Sequence, residues 1–188
     1  RLNTDGRGRY LGEFQGEDRI LVVNKNGTYY TTDYDLSNHY EEGFSVIEKY
    51  EPEKVWSAVF FDAEQQFYYL KRFRFENVVR HTLFIGETEG SYLVALSGEK
   101  RPRFEVVFGG RYESRPAEVI VADEFIAEKS YKARGKRVTT YEVKQISEIE
   151  PLDSGEEESE EAALTDIDFE ITNPDMLSDE TQMRLDFE

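Results

Sequence analysis

Clusters of lysine and arginine are the residues of this chain whose types and spacing suggest a chemical role. The densest cluster occupies residues 129–137, where five cations and no acid surround Gly135. Cations grouped in this way neutralise phosphates without reading base sequence, which predicts salt-sensitive binding to a nucleic acid. We expect the glycine to let the backbone approach a phosphate. The alternative is an ordinary solvated surface, since exposed lysines and arginines are common.

Three smaller clusters extend this prediction. Two lie within residues 71–80 and 100–103, and the third flanks Gly8 near the start of the chain. Taken cluster by cluster, the predicted contacts are Lys129, Lys132, Arg134, Lys136 and Arg137; Lys71, Arg72, Arg74 and Arg80; Lys100, Arg101 and Arg103; and Arg7 and Arg9.

Catalytic and metal-binding patterns are not found in the sequence. The two histidines, His39 and His81, lie near no serine or carboxylate pattern of a catalytic triad. The chain has no cysteine, which removes disulfides and thiolate metal sites and suits a reducing compartment. No phosphate-binding loop is present. We therefore expect no catalytic residue, metal ligand or cofactor site on this chain.

The charge is distributed unevenly and indicates three segments. The formal charge is −17, but residues 1–150 hold 22 basic and 26 acidic residues, whereas residues 151–188 hold 1 and 14. The run at residues 153–163 is too acidic and too poor in apolar side chains to pack. We predict a folded domain at residues 1–151, an acidic linker at 152–163 and a flexible peptide at 164–188.

The sequence shows neither a membrane-spanning segment nor a signal peptide. No apolar run approaches the roughly 20 residues that a membrane helix needs. The chain begins with Arg1 and no signal-peptide pattern follows. We expect a segment of a longer cytoplasmic protein with no membrane partner.

Hydrophobic patterning predicts an all-β domain. Residues 20–23 are a short aliphatic run that predicts a strand. An Asn-Gly step at 26–27 predicts a tight turn, because its two central residues tolerate positive φ. Residues 28–32 are predicted to return as a second strand. Similar strands follow at intervals like those of propeller blades, whose repeats run about 40–50 residues. Further strands are predicted at 10–14, 44–50, 55–61, 67–73, 91–96, 104–108, 119–122, 125–127, 138–143 and 146–149, with 97–102 and 123–124 as hairpin turns.

The first repeat resembles one blade of the C-terminal domain of bacterial type IIA topoisomerase A subunits. The resemblance rests on Asp18, residues 20–23, Gly27, and residues 43–47 and 54–59, with weaker copies at 67–73, 91–98 and 117–138. It implies a β-pinwheel, a propeller-like ring of antiparallel blades. Tyr29 follows the turn glycine closely where the family often has lysine or arginine. The gyrase motif Gln-Arg-Arg-Gly-Gly-Lys-Gly is absent, and residues 132–137 are its nearest counterpart, so a topoisomerase IV-like subunit is favoured over gyrase.

This resemblance implies a non-catalytic domain that binds and bends duplex DNA for ATP-dependent strand passage by a catalytic core outside the chain. The implied partners are duplex DNA and, through that core, the B-type ATPase subunit. ATP and Mg²⁺ would belong to the parent holoenzyme, an isomerase associated with the cytoplasmic nucleoid. The alternative function is a propeller-like protein-interaction module that does not bind nucleic acid. Salt-dependent DNA affinity would distinguish the two.

The acidic C-terminal region suggests two further partners. Glu156, Glu157, Glu158, Glu160 and Glu161 could compete with DNA phosphates for the basic clusters, or serve as a solubilising spacer. The last residues resemble the peptide that binds the bacterial sliding clamp. In that peptide a glutamine is followed by hydrophobic residues at set offsets. The alternatives for the last residues of this chain are packing on the folded domain or a short helix. The residues that carry this resemblance are Gln182, Met183, Leu185 and Phe187.

Overall fold

The computed structural model describes residues 2–152. Within these residues, eleven β-strands form three antiparallel sheets, joined by one 3-10 turn at Gly110–Tyr112 and one helical turn, α1, at Ala122–Phe125. The all-β prediction is confirmed. The strands are β1 (Ile20–Asn24), β2 (Thr28–Thr32), β3 (Phe44–Lys49), β4 (Trp56–Asp62), β5 (Phe67–Phe73), β6 (Thr82–Leu83), β7 (Tyr92–Ser97), β8 (Arg103–Phe108), β9 (Glu118–Val121), β10 (Lys136–Arg137) and β11 (Val143–Ile149).

Each sheet repeats one plan and so forms one blade. A hairpin is at its centre: β1–β2 in the first sheet, β4–β5 in the second and β8–β9 in the third. A later strand pairs with the first hairpin strand, which gives the pairs β3–β1, β7–β4 and β11–β8. A two-residue strand from farther along the chain pairs with the second hairpin strand in β6–β2 and β10–β5. Within residues 2–152, β9 has no such partner, so the third sheet has three strands where the others have four.

The predicted first hairpin is present, with a turn that differs from the expected one. Gly27 alone in the turn has a positive φ, +81°, and its amide donates to the Asn24 carbonyl at 3.1 Å. The turn thus has three linking residues, of which the last is left-handed. A Cβ at Gly27 would lie 2.3 Å from the Ile85 side chain, so close packing requires glycine here as well.

The second sheet lies between two hydrophobic clusters. On β4, Ala58 and Phe60 belong to the first cluster and Val59 to the second. On β5, Phe73 belongs to the first cluster and Leu70 to the second. These five residues are at most 1% exposed, which explains why β4 is buried almost throughout instead of alternating. A fully buried aliphatic or phenyl side chain contributes about 1.5–3 kcal/mol of stability.

Several local predictions are wrong. Residues 10–14 form no strand, and Tyr10 is 78% exposed. The hairpin turn predicted at 97–102 is not formed: Ser97 ends β7, and the residues after it connect two sheets, because β7 pairs with β4 while β8 pairs with β9 and β11. Residues 123–124 lie within α1, where the Ile126 amide donates to the Ala122 carbonyl at 3.1 Å. The strand predicted at 125–127 is absent, because Phe125 closes α1. The strands predicted at 138–143 and 146–149 are replaced by one strand, β11, that begins at Val143 and pairs with β8.

Candidate nucleic-acid interface

The cationic segment at residues 129–137, named here the basic loop, is attached to β5 at both ends. The Lys129 amide donates to the Arg72 carbonyl at 2.9 Å, and the Val138 amide donates to the Tyr68 carbonyl at 2.8 Å. Within the loop, Tyr131 is 7% exposed and its side chain joins the first hydrophobic cluster. The basic loop is therefore held against the second sheet by backbone pairing and by one buried aromatic ring.

Gly135 has a different role from the one that its sequence context suggests. Its φ is +93°, and a Cβ there would lie 2.4 Å from the Leu70 carbonyl oxygen and 2.8 Å from the Lys71 Cβ. The glycine allows the loop to approach β5 closely, at the start of the β10–β5 pairing. The side of Gly135 on which a Cβ would lie is thus occupied by β5.

Four cations of the basic loop are exposed and make no ion pair with an acid in the described part of the chain: Lys129, Lys132, Lys136 and Arg137. Aromatic rings support three of them. The Lys136 ammonium lies 4.2 Å from the centroid of the Phe125 ring, the Arg137 guanidinium 4.0 Å from that of Phe67, and the Lys132 ammonium 5.6 Å from that of Tyr131. Such packing orders the side chains while their charges stay accessible.

Among residues 2–152, Arg134 is the one cation of the basic loop that pairs with carboxylates. Its guanidinium lies 3.7 Å from both the Asp62 and Glu64 carboxylates. Asp62 is 3% exposed and accepts the Glu64 and Gln65 amides at 3.0 and 3.2 Å, so it caps the β4–β5 turn. Because Arg134 is already partly neutralised, we expect it to contribute less to phosphate binding than its neighbours.

The structure separates the four cations predicted within residues 71–80. The assignment of Lys71 to the surface is wrong, because the residue is 3% exposed and its ammonium donates to backbone carbonyls. Burial lowers the pKa of Lys71 to about 8. Arg72 is half-buried and donates to the Ile126 carbonyl at 3.4 Å, and Arg74 is paired with Glu53 and Glu128. Arg80 is exposed in the loop before β6.

The remaining predicted cations are mostly engaged with protein groups. Arg101 pairs with Asp123 at 3.0 Å and with Glu124 at 2.8 Å, and the Arg103 guanidinium donates to the Glu150 carbonyl at 2.7 Å. Arg7 forms an ion pair with Asp5, while Arg9 and Lys100 are exposed. These clusters do not combine with the basic loop into one continuous set of free charges.

Sequence reasoning missed an aromatic groove beside the basic loop, whose lining includes one cation, Arg111, and one acid, Glu142. The groove encloses about 550 Å³ and is lined by Phe67, Tyr68, Arg111, Tyr112 and Tyr141 among others. The Arg111 guanidinium stacks at 4.8 Å on Tyr112, and Phe67 carries Arg137 on its ring. The adjacent Arg-Tyr pair at 111–112 was the available signal, but one arginine next to an aromatic residue is too common to interpret from sequence alone.

Two absences hold for residues 2–152. No cluster of three or more His, Cys, Asp or Glu side chains there could hold a metal ion. No helix there has the length and apolar character to cross a bilayer. The predicted clamp-binding residues Gln182, Met183, Leu185 and Phe187, and the predicted acidic linker from residue 153 onward, lie outside the described residues.

Antiparallel blades, two of which are completed by a short strand from farther along the chain, make this an all-β domain of the β-pinwheel class. The chain belongs to the topoisomerase C-terminal domain family of the Bacteroidota, whose model matches residues 1–150. The resemblance found in the sequence is confirmed at this level. A solved structure, the crystal structure of the C-terminal domain of DNA topoisomerase IV, is similar with 13% identity and a TM-score of 0.44. The alignment covers 73% of this chain and 48% of that chain, so this protein spans about half the length of that structure. The comparison with curated proteins gave no match.

Proposed function

We propose that this domain binds duplex DNA through the basic loop and positions it for strand passage by a type IIA topoisomerase. The observation that carries the proposal is the set of four exposed cations, Lys129, Lys132, Lys136 and Arg137, that form no ion pair within residues 2–152. Each can neutralise a phosphate without displacing a carboxylate of that part of the chain. Family membership supports the same function.

The attachment of the loop makes these charges suitable for holding a rigid duplex. Both ends of the loop are hydrogen-bonded to β5, so the cations keep a defined spacing before DNA arrives. An ordered surface loses less conformational entropy on binding than a mobile one. The contacts are to phosphates, so the domain would grip or bend DNA with little regard for base sequence.

The finer assignments are part of the same proposal. The domain is non-catalytic and belongs to the A subunit, and transient strand cleavage, ATP and Mg²⁺ belong to the core and the B-type subunit of a cytoplasmic holoenzyme. The gyrase motif is absent from residues 1–188, and this favours a topoisomerase IV-like role without tight wrapping of DNA.

The test is the salt dependence of binding to a linear duplex. The variant Lys129→Gln/Lys132→Gln/Lys136→Gln/Arg137→Gln should reduce the slope of log affinity against log salt by about 3–4, since each phosphate contact contributes about 0.9. Arg74→Gln is the matched control, because Arg74 already has two carboxylate partners and its loss should change the slope little. An unchanged slope in the fourfold variant contradicts the assignment of the basic loop. Absence of binding by the wild-type protein at low salt would favour the protein-interaction module instead.

A further inference from the structure

Lys71 occupies an unusual position for a lysine. It lies within β5 on the face that carries Tyr69 and Phe73, and it is 3% exposed. An ammonium removed from water costs several kcal/mol unless polar partners replace the lost hydration. No carboxylate pairs with Lys71 among the described residues. Its partners are three backbone carbonyls, those of Phe84, Tyr131 at 2.5 Å and Ala133 at 3.2 Å.

This set of acceptors matches the chemistry of the ammonium group. Lysine has three N–H donors, and each finds one carbonyl oxygen. Ring centroids of Phe73 and Phe60 lie 5.0 and 5.6 Å from the nitrogen, and they add cation–π attraction in a site shielded from solvent. The positive charge is thus satisfied by the protein and is not available to a ligand.

The three carbonyls come from different parts of the fold. Phe84 follows β6, and its amide donates to the Gly27 carbonyl at the tip of the first hairpin at 3.0 Å. Tyr131 and Ala133 belong to the basic loop, on either side of Lys132. The ammonium therefore joins the first sheet, the second sheet and the centre of the basic loop at one point.

The centre of the loop has few other anchors. Its ends are held by the amides of Lys129 and Val138, and Gly135 rests against β5. Between them, the Ala133 amide makes only a local bond to the Ser130 carbonyl at 2.9 Å, the Tyr131 ring is buried, and the Arg134 guanidinium lies 3.7 Å from the Asp62 and Glu64 carboxylates. The carbonyls of Tyr131 and Ala133, both bound by Lys71, lie on either side of Lys132, whose side chain is exposed.

We propose that Lys71 is a positioning residue for DNA binding, whose buried ammonium fixes the centre of the basic loop so that Lys132 is presented to phosphate. This inference rests on the proposed function of the loop. Lys71 itself contacts no DNA. Its effect on affinity acts through the conformation of residues 131–134.

The test compares two variants of the full chain. Lys71→Met keeps an unbranched side chain one atom shorter and removes all three donors. The amides of residues 131–134 should then exchange hydrogen faster by about tenfold or more, as expected for a local opening. DNA affinity should fall while the slope of log affinity against log salt stays the same. Lys132→Gln should reduce that slope by about 0.9 and leave the exchange of the loop amides unchanged.

Each outcome decides a separate point. Unchanged hydrogen exchange of the loop amides in Lys71→Met overturns the positioning role. A slope of log affinity against log salt that falls by about 0.9 also overturns it, because Lys71 would then contact a phosphate directly. If the wild-type protein shows no salt-dependent DNA binding but Lys71→Met still loosens the loop, the proposed function fails while the anchoring role stands.

The absence of cysteine from the chain allows a chemical rescue. Lys71→Cys can be alkylated in the unfolded state at this single thiol and then refolded. An S-aminoethyl group restores an ammonium at nearly the original length, and an S-propyl group restores the length without the charge. Slow loop exchange with the first group and fast exchange with the second support the proposal, and equal exchange rates with both overturn it. This comparison also applies if Lys71→Met does not fold.

Discussion

The contact between Gly135 and β5 makes a sharp stability prediction. In Gly135→Ala, the new methyl group would lie 2.4 Å from the Leu70 carbonyl oxygen and 2.8 Å from the Lys71 Cβ, at a φ of +93°. Both of these atoms are fixed by the backbone of β5, so a side-chain rotation cannot relieve the overlap. The loop must move away from β5 and lose the pairing of Lys136 with Leu70 and of Arg137 with Tyr69.

The expected loss of stability is the sum of three effects. A non-glycine residue at positive φ costs about 1–2 kcal/mol. Overpacking costs about 1–3 kcal/mol, and a lost backbone hydrogen bond costs roughly 1 kcal/mol. We therefore expect a destabilisation of about 3–6 kcal/mol.

Gly43→Ala is the matched control, because Gly43 has a φ of +102° and a Cβ added there would meet nothing within 4 Å. It should lose only the conformational part, about 1–2 kcal/mol. Thermal unfolding of the full chain should place the midpoint of Gly135→Ala below that of Gly43→Ala by roughly 5–10 °C for a domain of this size. Equal midpoints for the two variants would refute the steric argument.

Four further predictions concern charge and the C-terminal residues. Burial lowers the pKa of Lys71 from 10.5 to about 8, so between these pH values the unfolded state binds more protons than the folded state. The free energy of unfolding, measured by urea titration, should therefore rise by up to roughly 3 kcal/mol across this pH window. The variant Lys71→Met should lack the rise. Burial raises the pKa of Tyr29, so a loss of stability should follow above pH ~10 as the unfolded chain ionises this tyrosine first. Deletion of residues 153–188 should tighten DNA binding at low salt if the acidic residues compete with phosphates, and unchanged or weaker affinity would count against that competition. A peptide of residues 178–188 should bind purified sliding clamp and lose binding in Gln182→Ala/Leu185→Ala, and fluorescence titration showing that the variant peptide binds equally well would reject the docking motif.

Local chemistry was readable from the sequence because it depends on neighbours in the chain. The first hairpin needs only an aliphatic run, a turn that ends in Gly27 and a return strand, and β1 and β2 are found where this pattern places them. The bounds of β5 are those predicted. The concentration of cations at residues 129–137 is likewise a property of composition, and the structure leaves most of them exposed.

Pairing between strands depends on the tertiary fold. Period-two patterning indicates that a strand exists, but every strand offers the same backbone donors and acceptors to any partner. For this reason residues 98–102 resemble a hairpin turn although β7 and β8 belong to different sheets. The exchange of β6 and β10 into earlier sheets involves two residues each, too few for a periodic signal.

The role of a charged residue depends even more strongly on distant groups. In sequence, Lys71 belongs to a basic cluster with Arg72 and Arg74, and all three share the same expected exposure. In the fold, Lys71 faces the interior and donates to carbonyls 13 and 60 residues away, while Arg74 meets two surface acids. Composition and local patterning establish that these positions carry positive charge and that the chain forms β-blades. Whether a given charge meets solvent, a carboxylate or a ring of carbonyls is set by the packed fold, because burial and its compensating hydrogen bonds come from segments that are remote along the chain.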